Sequence, residues 1–271
     1  MKTLTLKSGK KIPQLGFGTW KLTGQTAADA VKYALEIGYR HIDTADAYGN
    51  HFDVAKGIKE SGIKREDFFL TSKVFYQNLT PKGIQETGER ALKELGVEYL
   101  DLFLLHWPNR SVPIFDQLNA MRELKERGLI KAMGVSNYNV HHLKDALESG
   151  IEFDINQVEF HPTLNQKELK EFCDKHQIIV TAYSPIGRGE DLKLPAINLL
   201  AEKYRVTPSQ IILAWLMAKG LVAIPKASGK EHILDNFKSL ELELKPEDVG
   251  AVDALNINNR VVNPDHSDFE Y

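Results

Sequence analysis

Short apolar runs rich in β-forming residues alternate with stretches of helical periodicity along most of this chain, and that alternation limits the fold more than any single residue does. HIDTA precedes DVAKGIKESG, FFLTSKV precedes KGIQETGERALKELG, YLDLFLL precedes FDQLNAMRELKERG, IKAMGVSN precedes VHHLKDALESG, FDINQVEF precedes KELKEFCDKHQ, and IIVTAYSP precedes TPSQIILAWLMAKG and a last run, LVAIPK. A strand, a helical crossover and another strand form the unit of a parallel sheet. Counting LGFGT near the start as the first strand gives about eight units, the number that closes a parallel barrel. The expected fold is α/β, a (β/α)8 barrel forming one domain over residues 1–271, and 42% hydrophobic residues suffice for so large a core.

The two ends depart from the repeat. TLTLKSGKKIP reads as an antiparallel hairpin turning at Ser8 and Gly9, suited to cap the bottom of a barrel. The tail NNRVVNPDHSDFEY has neither helical nor strand periodicity and is expected to lie over the opposite face. The competing architecture, an open doubly wound sheet, is normally announced by a glycine-rich turn after the first strand. Here Gly16-Phe17-Gly18 is followed by Lys21 where a third glycine would be required, which disfavours it.

Charge and cysteine content narrow the partners. A formal net charge of −3 gives no electrostatic reason to expect nucleic acid or an anionic membrane surface. No stretch approaches the roughly 20 apolar residues of a membrane span. Cys173 is the sole cysteine, and KTLTLKSGKK lacks the apolar run of a secretory signal, so the cytoplasm is the expected address.

Four residues of complementary chemistry fall at or just past the ends of successive strands: Asp43 and Tyr48 in RHIDTADAY, Lys73 in FFLTSKV, and His106 in YLDLFLLHWP. In a parallel barrel the carboxyl ends of all strands open on one face, so these groups converge. A tyrosine hydroxyl ordinarily titrates near about 10, and an adjacent ammonium is expected to lower that value. Lys73 would supply the ammonium, Asp43 would offset its burial, and His106 would orient a substrate oxygen. Such a set suits protonation of a carbonyl oxygen better than hydrolysis, and no serine sits in a G-x-S-x-G elbow. Singly, each has a plain structural explanation: a turn aspartate, a half-buried tyrosine, a surface lysine, or a structural ion pair between Asp43 and Lys73.

At these motifs the sequence closely resembles the aldo-keto reductase family, through GYRHIDTADAYGN, LTSKV and LLHWP, and the similarity runs from LGFGTW at Leu15 to IPKASGKEHILDN ending at Asn236. The bacterial subgroup of diketogluconate and methylglyoxal reductases is the nearest in kind. The resemblance implies the same barrel, no metal, a monomer, and reduction of aldehydes or ketones by hydride transfer from a nicotinamide. Tyr48 would be the general acid, Asp43 and Lys73 would tune it, and His106 would orient the carbonyl. Ser136, Asn137 and Gln157 would hydrogen-bond the carboxamide, Tyr183 would stack on the ring, Ser184 and Ile186 would line the pyrophosphate path, and Gly18, Thr19 and Trp20 would border the cofactor.

The sequence departs from that pattern where the 2′-phosphate of NADP is read. Lys226 is present, Ala227 and Ser228 follow, and His232 stands where the resemblance places an arginine. Histidine is mostly neutral near pH 7 and lacks the guanidinium fork, so NADPH use with tolerance of NADH is expected. Asp235 and Asn236 match the adenine-contact positions. Trp20, Phe75 and Trp107 are the expected aromatic walls of the substrate pocket, His51 and Asn109 its polar candidates, and Val261 to Asp265 a lid. The tail after Leu255 is short, implying an open site. Two other functions compete: a nicotinamide-binding regulatory barrel without efficient turnover, and a non-redox barrel enzyme using Asp43 and His106 for proton abstraction. His141, His142 and His161 read as surface or loop histidines.

Overall fold

A computed structural model describes residues 2–271. Eight parallel strands follow one another in chain order around a single sheet: β3 (Phe17–Gly18), β4 (His41–Asp43), β5 (Phe69–Val74), β6 (Leu100–Leu105), β7 (Ile130–Ser136), β8 (Ile155–Glu159), β9 (Ile179–Tyr183) and β10 (Val222–Ala223). The sheet closes on itself. Gly16 donates to the Ala223 carbonyl at 2.8 Å, Ala223 donates to the Gln14 carbonyl at 2.8 Å, and Leu15 bridges Ala223 in parallel register.

The glycines of the discounted GxG motif belong to this seam. A Cβ at Gly16 would stand 2.6 Å from Nδ1 of His41, and one at Gly18 would stand 2.8 Å from the Ile224 carbonyl oxygen. Their role here is close approach of the first strand to its neighbours.

The helices that follow the strands bury one stripe each against the outside of the barrel. In α3 (Pro81–Leu95) the buried set is Ile84, Thr87, Gly88, Ala91, Leu92 and Leu95, the three-and-four spacing of an amphipathic helix. Thr80 caps it by accepting from the Gly83 amide at 3.1 Å, and Pro81 fills the first helical position, where no amide is needed. By contrast α8 (Pro208–Ala218) is buried from Gln210 to Met217, because α7 (Pro195–Tyr204), α9 (Lys230–Lys238) and α10 (Pro246–Asp253) surround it. None of the described helices is long and apolar enough to cross a membrane.

Hairpin strands β1 (Thr3–Thr5) and β2 (Lys11–Pro13) pair antiparallel, as expected, with Gly9 in the left-handed region. Leu6 and Ile12 plug the barrel floor against Phe69, Leu102, Ala132, Ile155 and Val222. From that floor the inward positions, two residues apart, turn polar towards the carboxyl ends: Phe69, Thr71, Lys73 on β5, and Ile155, Gln157, Glu159 on β8. The outward positions Leu70 and Val74 join the helix-facing core instead.

Replacing Gly16 by valine should cost about 1–3 kcal/mol through overpacking of the seam, read as a lower midpoint of thermal unfolding. A melting curve that superimposes on the wild type would mean that the closure tolerates a side chain.

Candidate active site

Lys73 projects from β5 into the barrel with no exposure and donates to Oδ1 of Asp43 at 2.5 Å and to the Thr44 carbonyl at 2.8 Å. Its remaining contact is the Tyr48 hydroxyl at 3.4 Å. Asp43 spends its other oxygen on the Gln157 side-chain amide, at 2.9 Å across the barrel. The four expected groups therefore meet, with the Tyr48 and His106 rings edge to face at 5.7 Å.

Tyr48 is carried on a short 3-10 turn, Asp46–Tyr48, rather than on a strand. That turn is held by Arg90, which donates to Asp46 at 2.7 Å, and by buried Asn50, which accepts from Thr44 and donates to the Thr19 and Leu22 carbonyls. His106 is fixed through its backbone: its amide donates to Val74 at 2.9 Å and its carbonyl accepts from Asn137 at 2.9 Å.

The electrostatics differ from the expectation in one respect. Burial, and after it the Asp43 carboxylate, raises the Tyr48 phenol well above its ordinary value. The lowering expected from Lys73 does not prevail, because that ammonium is already balanced by Asp43. Burial also lowers Lys73, against the Asp43 charge that favours its ammonium. His106 is driven well below the usual imidazole range by burial, then by the charge of Lys73, then by His266, so its ring is neutral. The resting site thus holds a protonated phenol beside a neutral imidazole.

The residues assigned to a nicotinamide cofactor line the adjoining arc of strand ends. Thr19 donates to the Asp43 carbonyl, Ser136 donates to the Gln157 carbonyl at 2.7 Å, and Tyr183 donates to Oδ1 of Asn137 at 2.7 Å, with Asn137 itself at φ 65°. Ser184 (φ 46°) and Arg188 (φ 54°) bend the loop after β9 so that the Arg188 guanidinium lies 5.0 Å from the Trp20 ring, which Lys21 approaches at 4.5 Å. Lys226, Ser228 and His232 are exposed around the start of α9, whose amino end has no side-chain cap. Uncapped amides flanked by a cation suit a phosphate, so the cradle fits a phosphorylated nucleotide. Asp235 accepts from Thr207 and Gln210, and Asn236 accepts from Ser209, so both expected adenine-contact side chains also tie α8 to α9.

Of the expected pocket residues, Phe75 and Trp107 lie beside His106 and Trp20 sits at the rim, but the polar candidates are engaged elsewhere. His51 is packed in the strand–helix layer, where Nδ1 meets Glu94 at 2.9 Å and Nε2 meets the outward Ser72 hydroxyl at 3.0 Å. It begins α2 (His51–Ser61), and the helical register turns it towards α3 rather than the barrel mouth. Asn109 donates to the Tyr76 carbonyl and accepts from Ser111, which braces its own loop. Asp46, His51 and Glu94 form a group of metal-ligand type, but Arg90 already donates to Asp46 there.

The tail crosses this face, and the expected open site is partly covered. The Val261 and Val262 amides donate to Glu159 at 2.7 and 2.9 Å, while Asp268 accepts from Arg110 at 2.7 Å and meets Nε2 of His142 at 3.1 Å. Between these anchors His266 stacks on Tyr76 with centroids 4.6 Å apart and meets Trp107 edge on at 4.9 Å. Neither Glu159, His266 nor the buried roles of His142 and His161 was anticipated. Glu159 had a readable signal, two residues beyond Gln157 on the same strand face, whereas His266 lies in a segment without periodicity.

His161 is wholly buried, meeting Glu159 at 3.0 Å and Asp191 at 2.8 Å. Burial opposes its charged form, but the hydrogen bonds to Asp191 and then Glu159 prevail and raise it above 6.5. A raised folded value means that the stability it contributes is complete below the unfolded value and is lost as pH rises through the folded one. The difference in unfolding free energy between wild type and His161→Gln should therefore be largest below pH 6.5 and narrow at higher pH; a gap constant with pH would contradict the charged bridge.

The family model described as Aldo/keto reductase family matches residues 14–257. The glyoxal reductase of Bacillus subtilis is 41% identical over 266 residues, covering 97% of this chain and 96% of that protein. The methylglyoxal reductase of Salmonella typhimurium is 36% identical over 270 residues, covering 98% and 97%. Among solved structures, an aldo-keto reductase from a Medee basin deep-sea metagenome library superimposes with a TM-score of 0.94 at 36% identity, over 98% of this chain and 100% of the other.

Proposed function

Because the chain belongs to the aldo/keto reductase family, whose members reduce carbonyl groups, we propose that it reduces small 2-oxoaldehydes with NADPH as the favoured reductant, NADH as a second, and Tyr48 as the proton donor. The observation that carries this reading is the Lys73 ammonium, held by Asp43 and the Thr44 carbonyl and directed at the Tyr48 hydroxyl next to a neutral His106. The substrate class follows from the relatives that reduce glyoxal and methylglyoxal.

A bound dihydronicotinamide supplies the hydride. Ser136, Asn137 and Gln157 would hold its carboxamide, Tyr183 its ring face, Ser184 and Ile186 its pyrophosphate, Lys226, Ser228 and His232 its 2′-phosphate, and Asp235 and Asn236 its adenine. Tyr48 keeps its proton until negative charge grows on the substrate oxygen, then donates it, and Lys73 stabilises the phenolate left behind. His106, neutral and fixed through its backbone, donates a hydrogen bond to the same oxygen and sets its angle. Glu159 holds the tail over the site and so limits water there. A cytoplasmic monomer is the matching state.

Tyr48→Phe should lower carbonyl-dependent NADPH oxidation by about a hundredfold to ten-thousandfold while a fluorescence titration shows cofactor binding retained. Turnover near the wild-type rate would remove Tyr48 as the donor. His232→Arg should raise the ratio of kcat/KM for NADPH over NADH by about tenfold, from a wild-type ratio well short of several hundred; an unchanged ratio would show that position 232 does not face the phosphate.

A further inference from the structure

The hydroxyl of Tyr48 is held by little at its own end. Its one hydrogen-bond contact among the described residues is the Lys73 ammonium at 3.4 Å, near the outer limit for such a bond. The turn that carries it, Asp46–Tyr48, lies past the end of β4, and its backbone bonds close on the turn itself: Tyr48 donates to the Ala45 carbonyl and Gly49 to that of Asp46. A group that delivers a proton has to stay within about 0.5 Å of its working position. The turn therefore needs support from outside.

Part of that support comes from behind, from α3. Arg90 donates through Nη2 to Oδ1 of Asp46 at 2.7 Å and to the Thr87 hydroxyl of its own helix at 3.3 Å. One helical turn further along the same face, Glu94 places Oε1 4.0 Å from Nε of Arg90 and Oε2 2.9 Å from Nδ1 of His51. Burial lowers the His51 ring and the carboxylate can only accept, so Nδ1 carries the proton and Nε2 accepts from the Ser72 hydroxyl at 3.0 Å. Ser72 directly precedes Lys73 on β5. The two ends of this series of contacts are thus the turn bearing Tyr48 and the strand bearing Lys73, and the outer layer sets the spacing of two groups that face each other inside the barrel. As an ion pair Arg90–Asp46 adds little to global stability, because the arginine side chain is 43% exposed. Its effect is on the place of the turn.

We propose that Arg90 is a positioning residue for the reaction: through Asp46 it holds the Tyr48 hydroxyl against Lys73, with Glu94 and His51 bracing the arginine from the strand side. The assignment rests on the reading of Tyr48 as the proton donor of the same site.

The experiment measures kcat, the KM values for methylglyoxal and NADPH, and the midpoint of thermal unfolding with NADPH bound. The proteins are wild type, Arg90→Met, Arg90→Lys, Tyr48→Phe and the double variant of Arg90→Met with Tyr48→Phe. Arg90→Met should lower kcat by about tenfold to a hundredfold, the effect of misplacing a reacting group by up to about an ångström, with KM for NADPH changed less than about twofold. Its thermal midpoint should fall by less than about 4 °C. Arg90→Lys, which keeps a donor and the charge, should restore part of kcat. In the Tyr48→Phe background Arg90→Met should remove nothing further, because the brace acts through the phenol. A wild-type kcat in Arg90→Met would overturn the proposal, as would an equal loss with and without the Tyr48 hydroxyl. A loss accompanied by a collapse of the thermal midpoint and of NADPH binding would make Arg90 a fold contact and overturn it as well. Turnover by Tyr48→Phe at the wild-type rate would overturn the donor reading and the brace together, whereas the other three results overturn the brace alone.

Discussion

The buried ion pair between Lys73 and Asp43 is the constraint around which the active face is arranged. Both side chains are out of water, at 0% and 2% exposure, so each charge depends on the other, and losing one partner of such a pair costs about 3–5 kcal/mol. The remaining valences of the pair reach the rest of the barrel. Gln157 from β8 donates to Asp43, Thr19 beyond β3 donates to its carbonyl, and Lys73 reaches the Thr44 carbonyl and the Tyr48 hydroxyl. One pair therefore joins the ends of β3, β4, β5 and β8 and the turn that carries Tyr48 to a common centre, and a phenol that burial keeps protonated is placed against a fixed positive charge.

A second polar centre serves the cover of the site. Glu159 and His161 come from the end of β8 and the loop beyond it, Asp191 comes from the segment after β9, and Val261 and Val262 come from the tail. Their hydrogen bonds tie the tail to the segment that runs past Trp20. Because the tail makes no strand or helix of its own, these contacts and those of Asp268 give it a defined path.

The eight-unit rhythm, the bottom hairpin and the convergence of Asp43, Tyr48, Lys73 and His106 were legible before any coordinates, because each depends on local pattern. Alternation of period two and period 3.6 sets element type, and a parallel barrel sends every strand's carboxyl end to one face. The errors share a cause. His51 sits only three residues from Tyr48 in sequence, yet the helix that starts there turns its ring outward to Glu94 and Ser72. His142 reads in sequence as a surface or loop residue because its partner Asp268 becomes a neighbour only on folding, and His161 does lie in the loop beyond β8, but buried there against Glu159 and Asp191, which the sequence does not show.

By itself the sequence determined the architecture and the chemical identity of the groups that converge at the strand ends, since strand pattern and residue type are properties of short segments. The tertiary structure alone decided the protonation of those groups and what covers them. Tyr48 is raised rather than lowered because burial and the nearby Asp43 charge outweigh a lysine already neutralised by that same aspartate, a balance set by distances across the barrel. His266 reaches the Phe75, Tyr76 and Trp107 wall because anchors on β8, on Arg110 and on His142 fix an aperiodic tail, and no local pattern encodes contacts between segments so far apart in the chain.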